Sequence, residues 1–259
     1  MDSITVTNNV PLRGEYDIIV AGGGVAGIAA AVAAARAGKK VLLLEKAVSL
    51  GGLATIGLIN LFVPMCNGRG VQIIKGMAEE FLRLSIKDGY DTIPNEWKNG
   101  EPGKGAKTRY LTKFSPSIFS LELTELLKNE GVDILYDTVV SEPVMDGGHC
   151  RGLIVENKSG REYYEGKIIV DTTGDADVLY RAGVPTRRGG NYYTMISNAT
   201  NLDLMKKAVE SGDIADAYTG VMGGRSNLYG GGHPEGMPLF EGVNVNSVTD
   251  FIIKNHLDT

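Results

Sequence analysis

The stretch YDIIVAGGGVAGIAAAVAAARAGKKVLLLEKAVSLGG, Tyr16 to Gly52, decides how this chain is read. Ile18, Ile19 and Val20 form an apolar run without alternation, which predicts a strand buried on both faces of a parallel sheet. Gly22, Gly24 and Gly27 fill the fixed positions of G-x-G-x-x-G. The first permits a tight turn, the second lets backbone approach a diphosphate, and the third lets the helix pack close to the strand. The run Val25 to Ala37 predicts a closely packed helix, stopped by Gly38 in the left-handed region. Val41 to Leu44 predict the next strand, and Glu45 closes it, 18 residues past Gly27. There a carboxylate can accept hydrogen bonds from both hydroxyls of an adenosine ribose. Strand, turn, helix, strand and acid occur in the order the motif requires, so a bound nucleotide is expected. Its diphosphate needs no lysine, because the amides and partial positive charge of a helix start, here Val25 and Ala26, suffice.

Glu45 disfavours a 2′-phosphate, so NADP is not expected. The choice between NAD and FAD rests on Gly51-Gly52, six residues beyond Glu45. A glycine pair there lets the backbone run against a longer, extended cofactor. In these features the chain resembles the glutathione-reductase-like FAD/NAD(P)-binding superfamily. More narrowly, it resembles its bacterial FAD-dependent oxidoreductase family, through DIIVAGGGVAG at 17–27, GGLATIG at 51–57 and DTTGDAD at 171–177. The resemblance covers roughly residues 14 to 185. It implies a doubly wound parallel α/β sheet of Rossmann type with an antiparallel β-meander and a partial second domain. It also implies FAD held by Gly22, Gly24, Val25, Ala26, Gly27, Glu45, Lys46, Gly51, Gly52, Ala54, Thr55, Val139, Val140, Thr173, Gly174 and Asp175. No histidine lies near Gly51-Gly52, so the flavin is expected to be noncovalent.

A length of 259 residues allows on the order of 70–75% of the unfolded surface to be buried, enough for one domain or one and a half. A net charge of −5 gives no electrostatic reason to expect nucleic acid or an anionic membrane, and Lys39-Lys40 and Arg187-Arg188 read as solvated pairs. The reading therefore expects a small-molecule substrate and no nucleic-acid partner. Cys66 and Cys150 form no C-x-x-C, so neither a redox disulfide nor a four-cysteine cluster is expected, and no metal site. No signal peptide or transmembrane run is evident, which points to a cytoplasmic protein.

Residues 71–88 show helical amphipathic spacing, and a second helix is expected from Ser115 or Ser117 to Gly131 with Leu121, Leu123, Leu126 and Leu127 on its apolar side. Between them, 91–116 is polar and rich in glycine, proline and lysine and reads as a long excursion, a surface loop in preference to a mobile lid or binding loop. Val132 to Tyr136 predicts a parallel strand, and 138–145, 151–156 and 161–164 a three-stranded meander, with 167–171 returning to the main sheet. Asp175 and Asp177 suit the N-cap of a helix over 176–181. The expected division is 1–185 for the FAD domain and 186–259 for part of a substrate-covering region. That region holds short helices near 202–210 and 246–257 and the run Gly230 to Pro234, where His233 is a weak candidate proton donor.

The family's late return strand, with its G-D segment at the ribityl chain, is not found after residue 186. The chain thus reads as a fragment or a shortened form, as a homo-oligomer or with a partner chain. The expected function is hydride transfer between a small organic substrate and noncovalent flavin. The alternatives are an NAD-dependent dehydrogenase and a non-catalytic nucleotide-binding fragment that needs a partner.

Overall fold

The computed structural model describes residues 3–193, 195–217, 219–223 and 231–257. Its strands are β1 (Leu12–Ala21), β2 (Val41–Leu44), β3 (Leu61–Phe62), β4 (Thr112–Lys113), β5 (Asp133–Leu135), β6 (Val139–Asp146), β7 (His149–Asn157), β8 (Gly160–Asp171), β9 (Met195–Ala199) and β10 (Thr219–Gly223). Its helices are α1 (Val25–Arg36), α2 (Met77–Ile86), α3 (Pro116–Asn129), α4 (Asp177–Arg181), α5 (Leu202–Ser211) and α6 (Val245–Leu257). The chain divides into two compact units, Met1–Ile56 with Ser120–Pro185 and Gly57–Phe119 with Thr186–Thr259. The second unit thus begins at Gly57, well before the expected excursion at 91.

The first unit is built on one six-stranded sheet in the order β5-β2-β1-β8-β7-β6. Strands β5, β2, β1 and β8 run parallel, and β7 and β6 return antiparallel. This is an α/β sheet of Rossmann type carrying a meander. The return to the main sheet needs no separate strand, because β8 is continuous. Its residues 160–165 pair antiparallel with β7, while 163–171 pair parallel with β1. The parallel strands end in register: Ala21 lies opposite both Leu44 and Asp171, and Leu44 opposite Leu135. Their C-terminal ends therefore share one edge, where such sheets bind ligands.

Ile19, Ala21, Leu42, Leu44, Leu153, Val155 and Val178 form a core on the sheet. Each large side chain among them contributes about 1.5–3 kcal/mol by leaving water. Helix α1 buries Gly27, Ile28, Ala31, Val32 and Ala34, while Ala26 and Ala33 are exposed, so it is packed on one side and not all round. Gly38 stops it at φ 72°.

Three expectations for the helices and the excursion are corrected. Helix α2 begins only at Met77, because Gln72 bridges to Cys66 and Gly76 sits at φ 69°, ψ −136°, outside helical space. Leu121 of α3 is 67% exposed, so the buried side of that helix carries Leu123 and Leu127 without it. The polar excursion is packed: Trp97 is 1% exposed and stacks on Tyr110 at 5.2 Å and 7°, with Met65, Cys66, Leu82 and Ile93 around them. Its indole N–H donates to Thr108 O at 3.2 Å.

Trp97→Ala should lower the unfolding free energy by about 3–5 kcal/mol in urea titrations followed by circular dichroism. A change under about 0.5 kcal/mol, the size expected of a surface site, would return the segment to a surface loop. In the first unit, Tyr16 Oη donates to Asp133 Oδ2 (3.0 Å), and burial together with that carboxylate pushes the phenol up to about 12. The folded state favours the protonated phenol, so the stabilisation holds below about pH 10, the unfolded tyrosine value, and fades as pH rises toward 12. Tyrosinate absorbance should show a group titrating near 12, and Tyr16→Phe should remove it.

Candidate functional site

Steric limits fix most of the glycine turn at the end of β1. Gly22 lies at φ 109°, and a Cβ on it would come within 2.4 Å of Thr172 O. A Cβ on Gly27 would lie 1.9 Å from Gly22 O, so only glycine lets α1 start this close to the strand. Gly24 differs. Its φ of −69° suits any residue, and a Cβ there would meet nothing within 4 Å. Protein atoms give no reason for glycine at 24, so the open space beside this N-cap is the feature that calls for a ligand.

Glu45 lies beneath the turn, 7% exposed. Its Oε2 accepts from Gly23 N–H and its Oε1 from Ala47 N–H, both at 2.7 Å. A carboxylate has about four acceptor positions, so each oxygen keeps one for a ribose hydroxyl. Gly23, not among the expected site residues, proves as constrained as its neighbours, since a Cβ on it would lie 2.7 Å from Leu50 Cδ2 and 2.9 Å from Glu45 Oε2. The second glycine pair docks on the first turn. Gly51 N–H donates to Gly23 O (2.9 Å), Gly24 and Gly51 bridge in parallel, and a Cβ on Gly52 would sit 3.1 Å from Gly24 Cα. Thr55, buried, donates its hydroxyl to Leu50 O and closes this turn. Its hydroxyl is therefore committed to protein. Val25 and Ala54 are half-buried beside the turn, and Ala26 and Lys46 are exposed.

Thr138 N–H donates to Glu45 O (3.0 Å), which sets the start of β6 against the end of β2. Val139 is 49% exposed and Val140 9%, and Val140 O accepts from Arg181 Nη1 at 2.6 Å. At the end of β8, Thr172 Oγ1 lies 2.9 Å from Ala21 O and 2.8 Å from Gly22 O, tying that strand to the turn. Thr173 is held by Asp171 through both its N–H and its hydroxyl. Gly174, at φ 95°, and Asp175 are exposed. The N-capping expectation for Asp175 and Asp177 fails. Ala176 occupies the N-cap at φ 58°, Asp177 N–H is received by Thr173 Oγ1, and Leu179 N–H by Asp171 Oδ2.

His233 lies in the second unit. Its Nδ1 accepts from Tyr193 N–H and its Nε2 faces Met237 O, both at 3.0 Å, so no ring nitrogen is left to deliver a proton. Gly230 lies outside the described residues. Among the described residues no cluster of His, Cys, Asp or Glu could hold a metal, both cysteines are free thiols, and no helix is long and apolar enough to cross a membrane.

A parallel sheet with two stacked glycine turns and a buried acid at its C-terminal edge defines a dinucleotide-binding flavoprotein. The profile of the FAD dependent oxidoreductase family matches residues 17–218, and the chain belongs to that family. Its cofactor is FAD, which sets aside the NAD-dependent alternative. The open face at Gly24, the uncapped start of α1 and the spare acceptor positions of Glu45 fit an ADP moiety.

The tRNA uridine 5-carboxymethylaminomethyl modification enzyme of Lactobacillus johnsonii is 32% identical over 166 residues, covering 62% of this chain and 24% of that enzyme. The digeranylgeranylglycerophospholipid reductase of Methanoculleus marisnigri is 26% identical over 179 residues, 68% of this chain and 43% of that enzyme. The chain thus spans about a quarter of the first relative and under half of the second. A geranylgeranyl bacteriochlorophyll reductase-like protein from Thermoplasma acidophilum superposes at a TM-score of 0.49 and 20% identity, over 71% of this chain and 46% of that one, a likeness too loose to argue from. The expectation of no nucleic-acid partner does not stand, since the first relative is a tRNA-modifying enzyme, as is its Bacillus subtilis counterpart at 30% identity. Net charge averages the whole chain and says nothing about one face of it.

Gly24→Ala should leave thermal stability unchanged, because the added methyl meets no protein atom, yet weaken FAD binding at least about tenfold, roughly 1.4 kcal/mol. Gly27→Ala should fail at the level of folding. Equal FAD affinity in wild type and Gly24→Ala would sink the ligand reading of this turn.

Proposed function

We propose that this chain is the flavin-holding part of an oxidoreductase that moves a hydride between its substrate and noncovalently bound FAD. The observation that carries the reading is the pairing of an open helix start at Gly24 with a buried, partly unspent carboxylate at Glu45. When bound, the flavin supplies the hydride chemistry. The chain's residues bind and orient it. The start of α1 receives the diphosphate, Glu45 the adenosine ribose, and the Gly51-Gly52 turn leaves room for the extended chain beyond. The exposed Gly174 and Asp175 border the same edge, within the first unit.

Two substrate classes divide the reading. A small organic substrate is supported by a cavity of about 390 Å³ in the second unit, lined by Leu58, Asn60, Tyr90, Met205, Ile214 and Ala217. That is a volume in the range of small-molecule sites. The second reading, a base carried by RNA, is favoured by the relatives that act on tRNA.

Purified protein should be yellow. Acid precipitation should release a cofactor with the mass of FAD and leave the polypeptide mass unchanged, whereas flavin retained on the precipitate would exclude noncovalent binding. Under anaerobic conditions a small donor or a tRNA fraction should bleach the colour. Flavin that binds fully and is never reduced by either would instead make the chain a carrier module.

A further inference from the structure

The second unit repeats one small device. Gly68-Arg69-Gly70 and Gly103-Lys104-Gly105 each place a cation between two glycines, and all four glycines have positive φ, at 73°, 78°, 75° and 99°. The two turns touch through backbone: Gly103 N–H donates to Gly70 O at 3.0 Å, and a Cβ on Gly70 would lie 1.8 Å from Gly103 O. Side chains hold each turn from behind. Asn67 Oδ1 accepts from Arg69 N–H and Val71 N–H, and the Glu96 carboxylate accepts from Lys107 N–H, Thr108 N–H and the Thr108 hydroxyl. The Arg109 guanidinium lies along the first turn, where a Cβ on Gly68 would come 3.2 Å from Nη1.

Segments 66–75 and 98–109 carry six cations against one acid, Glu101, in a chain whose net charge is −5. Lys75 is paired with Glu101 and Lys98 with Asp91, and Lys107 lies beside Glu96. Arg69, Lys104 and Arg109 are exposed, and none has an ion-pair partner among the described residues.

We infer that these two apposed turns form a contact surface for the phosphodiester backbone of RNA, with Arg69, Lys104 and Arg109 as its cations. The inference rests on the RNA reading of the substrate and adds where the strand lies. The cations stand on exposed turns and not in a cavity, which suits repeated phosphates along a chain better than one enclosed anion. Val71, Ile73 and Ile74 beside the first turn are exposed, so anionic vesicles are the competing occupant the test includes. Sequence-independent contacts of this kind position a strand and leave base choice to the active centre.

The test is fluorescence anisotropy with a single-stranded oligoribonucleotide and the full FAD-loaded chain. Three contacts predict that raising salt from about 50 to about 200 mM weakens binding on the order of 20-fold. R69Q/K104Q/R109Q should lower the slope of log affinity against log salt by about 2. R69K/R109K should retain binding, and K39Q/K128Q/K158Q, which removes three exposed cations of the first unit, should leave the slope unchanged. Flavin content and circular dichroism report folding in every variant. If wild type binds no RNA, the RNA reading falls and this surface with it. If wild type binds and the triple turn variant binds equally well, this surface alone falls. Equal loss in the first-unit control, or capture of phosphatidylserine vesicles in preference to RNA, overturns the inference as well.

Discussion

A diphosphate can approach the start of a helix only where the chain entering that helix keeps its side chains out of the way and its amides aimed outward. In this protein the constraint is met by backbone packed on backbone. Gly22 and Gly27 are forced by contacts of 2.4 and 1.9 Å that any Cβ would make, and Gly51 is hydrogen-bonded to Gly23 behind them. Gly24 alone is free to point into open space. The turn is rigid wherever protein needs it rigid and vacant at the one position a ligand needs. Glu45 extends the same logic, because one lone pair on each oxygen fixes the loop and the others remain for a sugar. A carboxylate so placed is pre-oriented, and its ordering cost falls on folding and not on binding.

The parts of the fold legible in the sequence were those with a local period or a local motif. The Ile18 to Val20 run, the G-x-G-x-x-G spacing and Glu45 lie within thirty residues, and the sheet places them as that spacing requires. What escaped depends on contacts between distant residues. Thr172 reaches Gly22 across 150 positions, and Asp171, which read as the end of a strand, turns out to organise Thr173 and Leu179. Asp175 and Asp177 had the right composition for a cap and lost it to that longer-range network. The excursion at 91–116 read as a surface loop because its polar residues dominate the average, yet it packs through a buried stack, Trp97 on Tyr110. His233 sat in a glycine run that suggested freedom, and its two ring nitrogens are both taken by backbone.

The same averaging explains why the nucleic-acid expectation failed. A net charge of −5 is a statement about the far field, where the chain as a whole repels a polyanion. Beyond a Debye length of about 8–10 Å, salt screens that field, and what a phosphate meets is the nearest few side chains. The glycine–cation–glycine turns place cations in segments that carry one acid, Glu101, and the second of them lies in the stretch whose composition suggested only a loop.

On the proposed reading, cofactor and substrate are recognised by different parts of the polypeptide. The glycine turns are fixed by main-chain contacts, which tolerate little change, and the family profile spans them. Substrates are met by side chains, which are free to vary once the turn is secure. That separation accounts for relatives named for a tRNA base and for a phospholipid matching this chain over much the same length. In the second unit the cavity at Asn60 and the paired cationic turns are built from residues other than the glycine turns of the first unit, so side chains there can change without disturbing those backbone contacts.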